Sequence, residues 1–398
     1  MDKVNPHPEI LFYTRIRKSP YFYASRRHGV AMYSVINHQY HPRHYGDPVE
    51  EYWQLLNGVT LWDVGGERQV EITGPDAFEF TNMLTPRDLN MCAVGQCKYA
   101  FITTQDGGIL NDPVLLRLDD NHFWLSAAED TLLPWALALA HNSGLNVNVW
   151  EADVGPVQVQ GPKSKEVMTD LFGEEILEVP YYYMVHRELS GMEVVVSRTG
   201  YTGELGYEIY LKNASRDGEK LWNTVWEAGQ PHDLAVIGPS HIRRIEGGIL
   251  AYYADMWLDT NPYEVGYGYK WMVEFEQEQD FIGREALKKI SEEGVSRKLV
   301  GVEIGGESLG SYNDGSMIDY FPVYDDGRHI GKVTSACCSP RLEKNIGFAM
   351  VPIEYSELGR RFEVETPHGR TSAVVVEKPF FKPEKAEQQL KPSSTASS

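Results

Sequence analysis

The apolar residues of this chain come in short runs, many of them alternating, and Gly, Pro or Asp-Gly turns close most of them. No run approaches the ~20 uninterrupted apolar residues that a membrane-spanning helix needs. The pattern calls for short strands and helices packed in layers. At 398 residues the chain exceeds one core, and about 150 residues per domain points to two or three domains.

Residues 49–56 read as a short helix leading into the apolar stretch 59–64. Val70-Glu71-Ile72 alternates as a strand. Gly74-Pro75-Asp76 then opens a helix, with Asp76 placed to stabilise its first turn. Residues 99–103 and 113–118 read as two strands joined by the turn Gln105-Asp106-Gly107-Gly108. Strands are expected at 157–160, 192–197 and 207–211, with helices near 219–229 and 240–251. Residues 1 to about 50 are aromatic and basic and show no steady period.

A polar break at 291–298 marks a boundary. Beyond it, short alternating runs recur between turn clusters such as Asp325-Asp326-Gly327, which suggests a small antiparallel barrel or sandwich. The expected division is 1–292 for the larger part and 297–382 for the barrel, followed by a disordered polar tail at 383–398.

Composition excludes several classes. Lys and Arg total 37 against 57 Asp and Glu, a net charge of −20. Such a surface repels phosphate backbones and anionic lipid, so neither nucleic acid nor membrane is an expected partner. The N-terminus lacks a basic-then-apolar signal layout. The four cysteines, Cys92, Cys97, Cys337 and Cys338, are too few for a disulfide scaffold, so a reducing, cytoplasmic setting is expected. No His/Cys set has metal-ligand spacing, and neither HExxH nor GxSxG occurs.

The densest chemical signal is 198–208, RTGYTGELGYE, where Gly200, Gly203 and Gly206 permit tight turns and close approach to a flat ligand. Glu204 in that loop offers two acceptors to an amidine-like edge; the plainer reading is a glycine hairpin with a solvated carboxylate. Asn111-Asp112 in DGGILNDP present a polar pair at the start of a strand, or simply cap a hairpin. Asp63, Glu67 and Arg68 suggest an ion-pair cluster. Arg244 and Glu246, at helical spacing, suggest packing or surface roles.

Together these motifs resemble the family of the glycine-cleavage T-protein, the aminomethyltransferase that passes a one-carbon unit to tetrahydrofolate. The loop at 198–208 is similar to that family's TGYTGE-x-GYE, 107–112 to its GG-x-x-DD turn and 244–248 to its RLEAG. Residues 281–287 match its FIGREAL. The stretches 17–21, 33–38, 62–72, 86–89 and 261–264 are instead similar to the branch of tetrahydrofolate-dependent dimethylsulfoniopropionate demethylases. Asn111 stands where the T-protein has its functional aspartate, while Tyr201-Thr202-Gly203-Glu204 keeps the T-protein form.

The resemblance implies an α+β fold, ring-like around a central folate channel, with a C-terminal antiparallel β-barrel. It implies tetrahydrofolate as cofactor, with Tyr99, Tyr201, Glu204 and Arg244 around it. Asn111 and Asp112 would lie beside the reacting nitrogen, and Trp62 and Glu264 beside the substrate. The expected reaction is methyl transfer from a small-molecule onium donor. The alternatives are the T-protein reaction with a lipoyl carrier protein, an aryl-ether O-demethylase, and a folate-binding protein without activity. An onium donor carries a good neutral leaving group, so alignment matters more than acid catalysis.

Overall fold

The computed structural model describes residues 11–127, 129–311, 313–314 and 320–381; the tail expected at 383–398 lies outside them. Two sheets, one wholly antiparallel and one with a single parallel pair, and a barrel organise the chain. One sheet runs in the order Met184–Leu189, Met192–Ser197, Gly206–Lys212, Val154–Gln160, Thr60–Asp63 and Ala235–Val236, the last pair parallel. The other runs Asn148–Glu151, Arg68–Thr73, His122–Ala127, Val114–Asp119 and Cys97–Tyr99.

Strand periodicity gives each sheet two faces. Leu61, Val157, Val159, Tyr207 and Ile209 turn outward and pack on the helices Ser164–Phe172 and Ala214–Gly229. Val70, Ile72, Leu115 and Phe123 do the same against Ala77–Leu84 and Leu132–Ser143. The residues between them turn inward. The inner faces meet around Cys97, Leu116 and Val195, with the Trp124 and Tyr210 rings 6.3 Å apart.

The C-terminal unit is a closed barrel of six antiparallel strands. In ring order they are Arg328–Ser339, Phe321–Asp325, Arg361–Thr366, Gly369–Val376, Arg297–Ile304 and Lys344–Pro352. Lys344–Pro352 pairs with both Arg297–Ile304 and Arg328–Ser339 and so closes the ring. Val302, Val323, Val364 and Val375 fill it. Cys337 is buried in the core that joins the barrel to the rest of the chain, and none of the four cysteines forms a disulfide among the described residues.

Several local expectations are corrected. The strand expected at 99–103 is split. Cys97–Tyr99 pairs with Val114–Asp119, Ile102–Thr103 pairs with Ile109–Asn111, and Phe101 between them enters a core with Ile109 and Tyr52. The helix expected at 240–251 is only His241–Glu246. Ser240 caps its start, and Gly248 at φ 72° lets Ile249 donate back to the Arg244 carbonyl and end it. The polar break at 291–298 holds the end of the helix Arg284–Glu293 and the start of the first barrel strand. Asp76 makes no cap bond; its carboxylate accepts from the Asn146 backbone N–H at 2.7 Å. The aperiodic N-terminal stretch contains a hairpin, Met32–Ile36 with Gln39–His44.

Candidate active site

A cavity of about 500 Å³ lies against the inner face of the six-stranded sheet, under the N-terminal hairpin and the segment 251–254. Trp62, Gln158 and Tyr201 line it from the sheet side, and Glu67, Glu129 and Tyr252 from the others. The sheet contributes through register. Trp62 stands opposite Gln158, Gln158 opposite Glu208, and Glu208 opposite Ser197. These four side chains form one row across adjacent strands.

Gln160, the next residue on the same face of the strand Val154–Gln160, explains what the glycine-rich loop does. A Cβ at Gly200 or Gly206 would collide with the Gln160 side chain, so these glycines admit Gln160 rather than a flat ligand. Thr202 Oγ1 donates to Gln160 Oε1 at 2.8 Å, and Gln160 Nε2 donates to the Thr199 carbonyl at 3.2 Å. Locked this way, the loop sends Tyr201 into the cavity, where its hydroxyl donates to the Leu250 carbonyl at 3.0 Å. The same loop turns Glu204 aside. Its carboxylate accepts from Arg243 Nε at 2.9 Å, and it borders a recess of about 10 Å³ beside Arg198 and Thr199.

The carboxylate in the row is Glu208, which the sequence reading passed over. Gln158 Nε2 donates to its Oε1 at 2.5 Å, Tyr210 donates to its Oε2 at 2.9 Å, and the Thr199 hydroxyl donates to Oε2 as well. Oε1 therefore keeps an open lone pair, and Gln158 Oε1 beside it is buried without a partner. Burial raises Glu208, while those donors hold it down. Glu67 faces it across the sheets with one weak bond, from Ser126 at 3.2 Å. Burial and the charge of Glu208 push Glu67 far up, so Glu67 keeps the proton and Glu208 the charge.

Asp112 lies close by, its charge acting on Glu67, Glu129 and Tyr252, which line the cavity. Tyr99 Oη donates to its Oδ2 at 3.0 Å, and Tyr99 packs edge-on against Tyr267 with ring centroids 5.8 Å apart. Burial raises Asp112 to about 7, with Tyr99 opposing the rise. Asn111, its neighbour, points the other way: Nδ2 donates to the Glu129 carbonyl at 3.1 Å and to Thr131 Oγ1 at 3.2 Å.

Arg244 lines the cavity and is 2% exposed. It donates to Asp255 Oδ2 and to Ser335 Oγ, each at 2.6 Å. Trp62 is fully buried in the wall, its Nε1 donating to Thr60 Oγ1 at 2.7 Å. Glu264 stands apart from these groups. Its carboxylate accepts from Arg297 Nε at 2.9 Å, tying the segment at 261–264 to the first barrel strand. The cluster expected of Asp63, Glu67 and Arg68 does not form. Asp63 accepts from Ser19 and Ser25, and Arg68 pairs with Glu151.

Comparisons with known proteins agree with this architecture. The GCVT N-terminal domain family matches residues 22–277, and the glycine cleavage T-protein C-terminal barrel domain family matches 297–382. The chain is 35% identical over 363 residues to the dimethylsulfoniopropionate demethylase DmdA of Ruegeria pomeroyi, covering 91% of this chain and 97% of that one. It is 32% identical over 340 residues to an aminomethyltransferase of Caldanaerobacter subterraneus, covering 84% and 88%. The crystal structure of the glycine cleavage system aminomethyltransferase T from Bartonella henselae superposes with a TM-score of 0.81 at 22% identity, over 92% of this chain and 98% of that one. The chain belongs to the glycine cleavage T-protein family.

Proposed function

We propose that the protein is a tetrahydrofolate-dependent methyltransferase that demethylates a small onium compound, with dimethylsulfoniopropionate the first donor to try. One observation carries this reading: a single cavity combines the rings of Trp62, Tyr201, Tyr252 and Tyr253 with the acid Glu129. Rings and acids together suit a cation, at about 0.5–2 kcal/mol per well-placed ring. The 35% identity to the demethylase, over nearly the full length of both chains, supports the same donor class.

The folate fits the neighbouring acceptors. A reduced pterin presents its amino group and ring N–H as two parallel donors. The unpartnered Gln158 Oε1 and the open lone pair on Glu208 Oε1 are two adjacent acceptors for them. Tetrahydrofolate supplies the secondary-amine nitrogen that accepts the methyl group. Asp112, oriented by the Tyr99 hydroxyl, takes the proton that leaves this nitrogen, while the electron pair of the broken carbon–sulfur bond stays on sulfur.

Glu208→Gln is expected to weaken folate binding by about tenfold to a hundredfold, the usual loss for a charge-assisted hydrogen-bond pair. Glu204→Gln should leave folate affinity nearly unchanged and lower the melting temperature, because the fully buried Arg243 loses the carboxylate charge at its Nε and keeps only that of Glu246 at 3.9 Å among the described residues. Calorimetry on both variants checks this. The reverse ranking would return the pterin to the glycine-rich loop.

A second reading, the aminomethyltransferase reaction with a lipoyl carrier protein, is favoured by the Tyr201–Glu204 loop and by relatives such as the Caldanaerobacter enzyme. A donor screen with tetrahydrofolate and mass detection separates the two. We expect methyl-folate from an onium donor without a carrier. Methylene-folate and ammonia, formed only from a carrier-bound aminomethyl group, would put the second reading in place of the first.

A further inference from the structure

We propose that Glu129, with the rings of Tyr252 and Tyr253, holds the positive end of the methyl donor, and that Asn111 is the positioning residue that puts Glu129 there. The inference rests on the methyl-transfer reading and assigns a corner of that cavity.

Glu129 follows the strand His122–Ala127 and lines the cavity. The segment carrying it is pinned from two sides. Asn111, fully buried, donates through Nδ2 to the Glu129 carbonyl at 3.1 Å and to Thr131 Oγ1 at 3.2 Å. Its Oδ1 accepts from the Asp112 backbone N–H at 3.0 Å. From the hairpin, Asn37 Nδ2 donates to the Ala127 carbonyl at 3.0 Å, and the Asn37 backbone N–H bonds the Glu129 carboxylate.

An aspartate at 111 could not reproduce this clamp. It has no hydrogen to give the Glu129 carbonyl, and the Thr131 hydroxyl already donates to the Leu110 carbonyl at 3.2 Å. One amide therefore links the backbone of Asp112, the candidate proton acceptor, to the segment that presents Glu129.

The surroundings of Glu129 suit a cation. Two acids, Asp130 and Asp112, act on its carboxylate, and Asp130 faces His38 Nδ1 at 2.9 Å; Arg43 and Arg244 also line the cavity. Burial first, and Asp130 next, push Glu129 up to about 8. A cation entering the corner relieves that strain on the charged form. Tyr253 is held at φ 68°, a conformation unusual for a bulky side chain, with its N–H on the Met256 carbonyl at 2.9 Å. The Tyr252 and Tyr253 rings stand 4.9 Å apart at 68°, and the Tyr252 hydroxyl donates to the Ile109 carbonyl at 3.0 Å. Among the residues lining the cavity, Ser34 Oγ, His41 Nε2 and Gln158 Oε1 are buried, unpartnered polar atoms, so its polar groups are arranged for an occupant.

The test is a charge-preference ratio measured on the full chain without folate, so that no turnover occurs. Calorimetry compares dimethylsulfoniopropionate with the same acid carrying a neutral thioether. Wild type should prefer the sulfonium by about tenfold or more. Glu129→Gln should bring that ratio close to one, with tetrahydrofolate affinity and melting temperature unchanged. Asn111→Asp should lower the ratio in the same direction, and Asn111→Gln should retain more of it than Asn111→Asp. A Glu129→Gln protein that keeps the preference overturns the proposal. An Asn111→Asp protein that keeps it, while Glu129→Gln loses it, removes the positioning role of Asn111. If the wild type turns over the sulfonium yet Glu129→Gln changes nothing, only this inference fails. If the wild type makes methylene-folate and turns over no onium donor, the methyl-transfer reading fails with it.

Discussion

Asp112→Asn is expected to lower the rate of methyl transfer by about a hundredfold while leaving folate affinity within a few-fold of wild type. Loss of a positioned proton acceptor costs on that order or more. Asn keeps the shape and still accepts the Tyr99 hydroxyl, so the loss falls on turnover rather than on binding. The pH profile gives an independent readout. Burial raises Asp112 to about 7, so below that pH it holds a proton and cannot accept one. The wild-type rate should therefore climb as pH rises through about 7, and the Asn variant should lose that limb. The sign for stability is opposite. A carboxyl whose folded pKa lies above its unfolded one destabilises the fold as pH rises between the two values. Asp112→Asn should thus melt at or above the wild-type temperature in mildly alkaline buffer and lose that advantage in acid. An unchanged rate, or a lost rate with the same pH limb, would take Asp112 out of proton transfer.

The contrast between Glu204 and Glu208 shows where the sequence is informative. The segment at 198–208 stands out in the chain, and it does border the cavity through Tyr201. Which of its two glutamates faces inward depends on the strand Gly206–Lys212, where alternation puts Tyr207 in the outer core and Glu208 in the row with Gln158. Glu204 lies in the loop before that strand, beyond the reach of any period, and its partner Arg243 is 39 residues away.

The same logic separates the barrel from the N-terminal hairpin. Barrel strands such as Arg361–Thr366, which alternates and meets its partner at Gly369, are legible. The hairpin Met32–Ile36 with Gln39–His44 turns through Asn37 and His38 at φ 52° and 55°. No glycine marks that turn, and the pattern read there showed no period. Asn111 stands out in the sequence as a polar residue beside a turn, though it ends the strand Ile109–Asn111 rather than starting one. Its contact with Glu129 needs the whole strand pair 114–127 to fold back, which local spacing does not encode.

Asp255→Ala is expected to destabilise the protein by about 3–5 kcal/mol, the typical cost of removing one partner from a buried ion pair. Asp255 is 2% exposed and collects four donors. Arg244 Nη1 and the Ala251 N–H reach Oδ2, while Thr334 and Ser335 reach Oδ1, at 2.6 to 2.9 Å. Thr334 and Ser335 belong to the barrel strand Arg328–Ser339, so this carboxylate fastens the barrel to the cavity wall. Removing it takes from the buried Arg244 guanidinium the carboxylate that stands 2.6 Å from Nη1. The double variant Arg244→Met with Asp255→Leu removes both charges and should recover much of the lost stability, since apolar replacement of a buried pair is often close to neutral. Folate binding and turnover should not recover with it, because Arg244 itself lines the cavity. Thermal melting reads the first effect and calorimetry with tetrahydrofolate the second. A double variant that regains both would make the pair purely structural. One that regains neither would mean that the hydroxyls of Thr334 and Ser335, left without their acceptor, matter more to the barrel contact than the ion pair does.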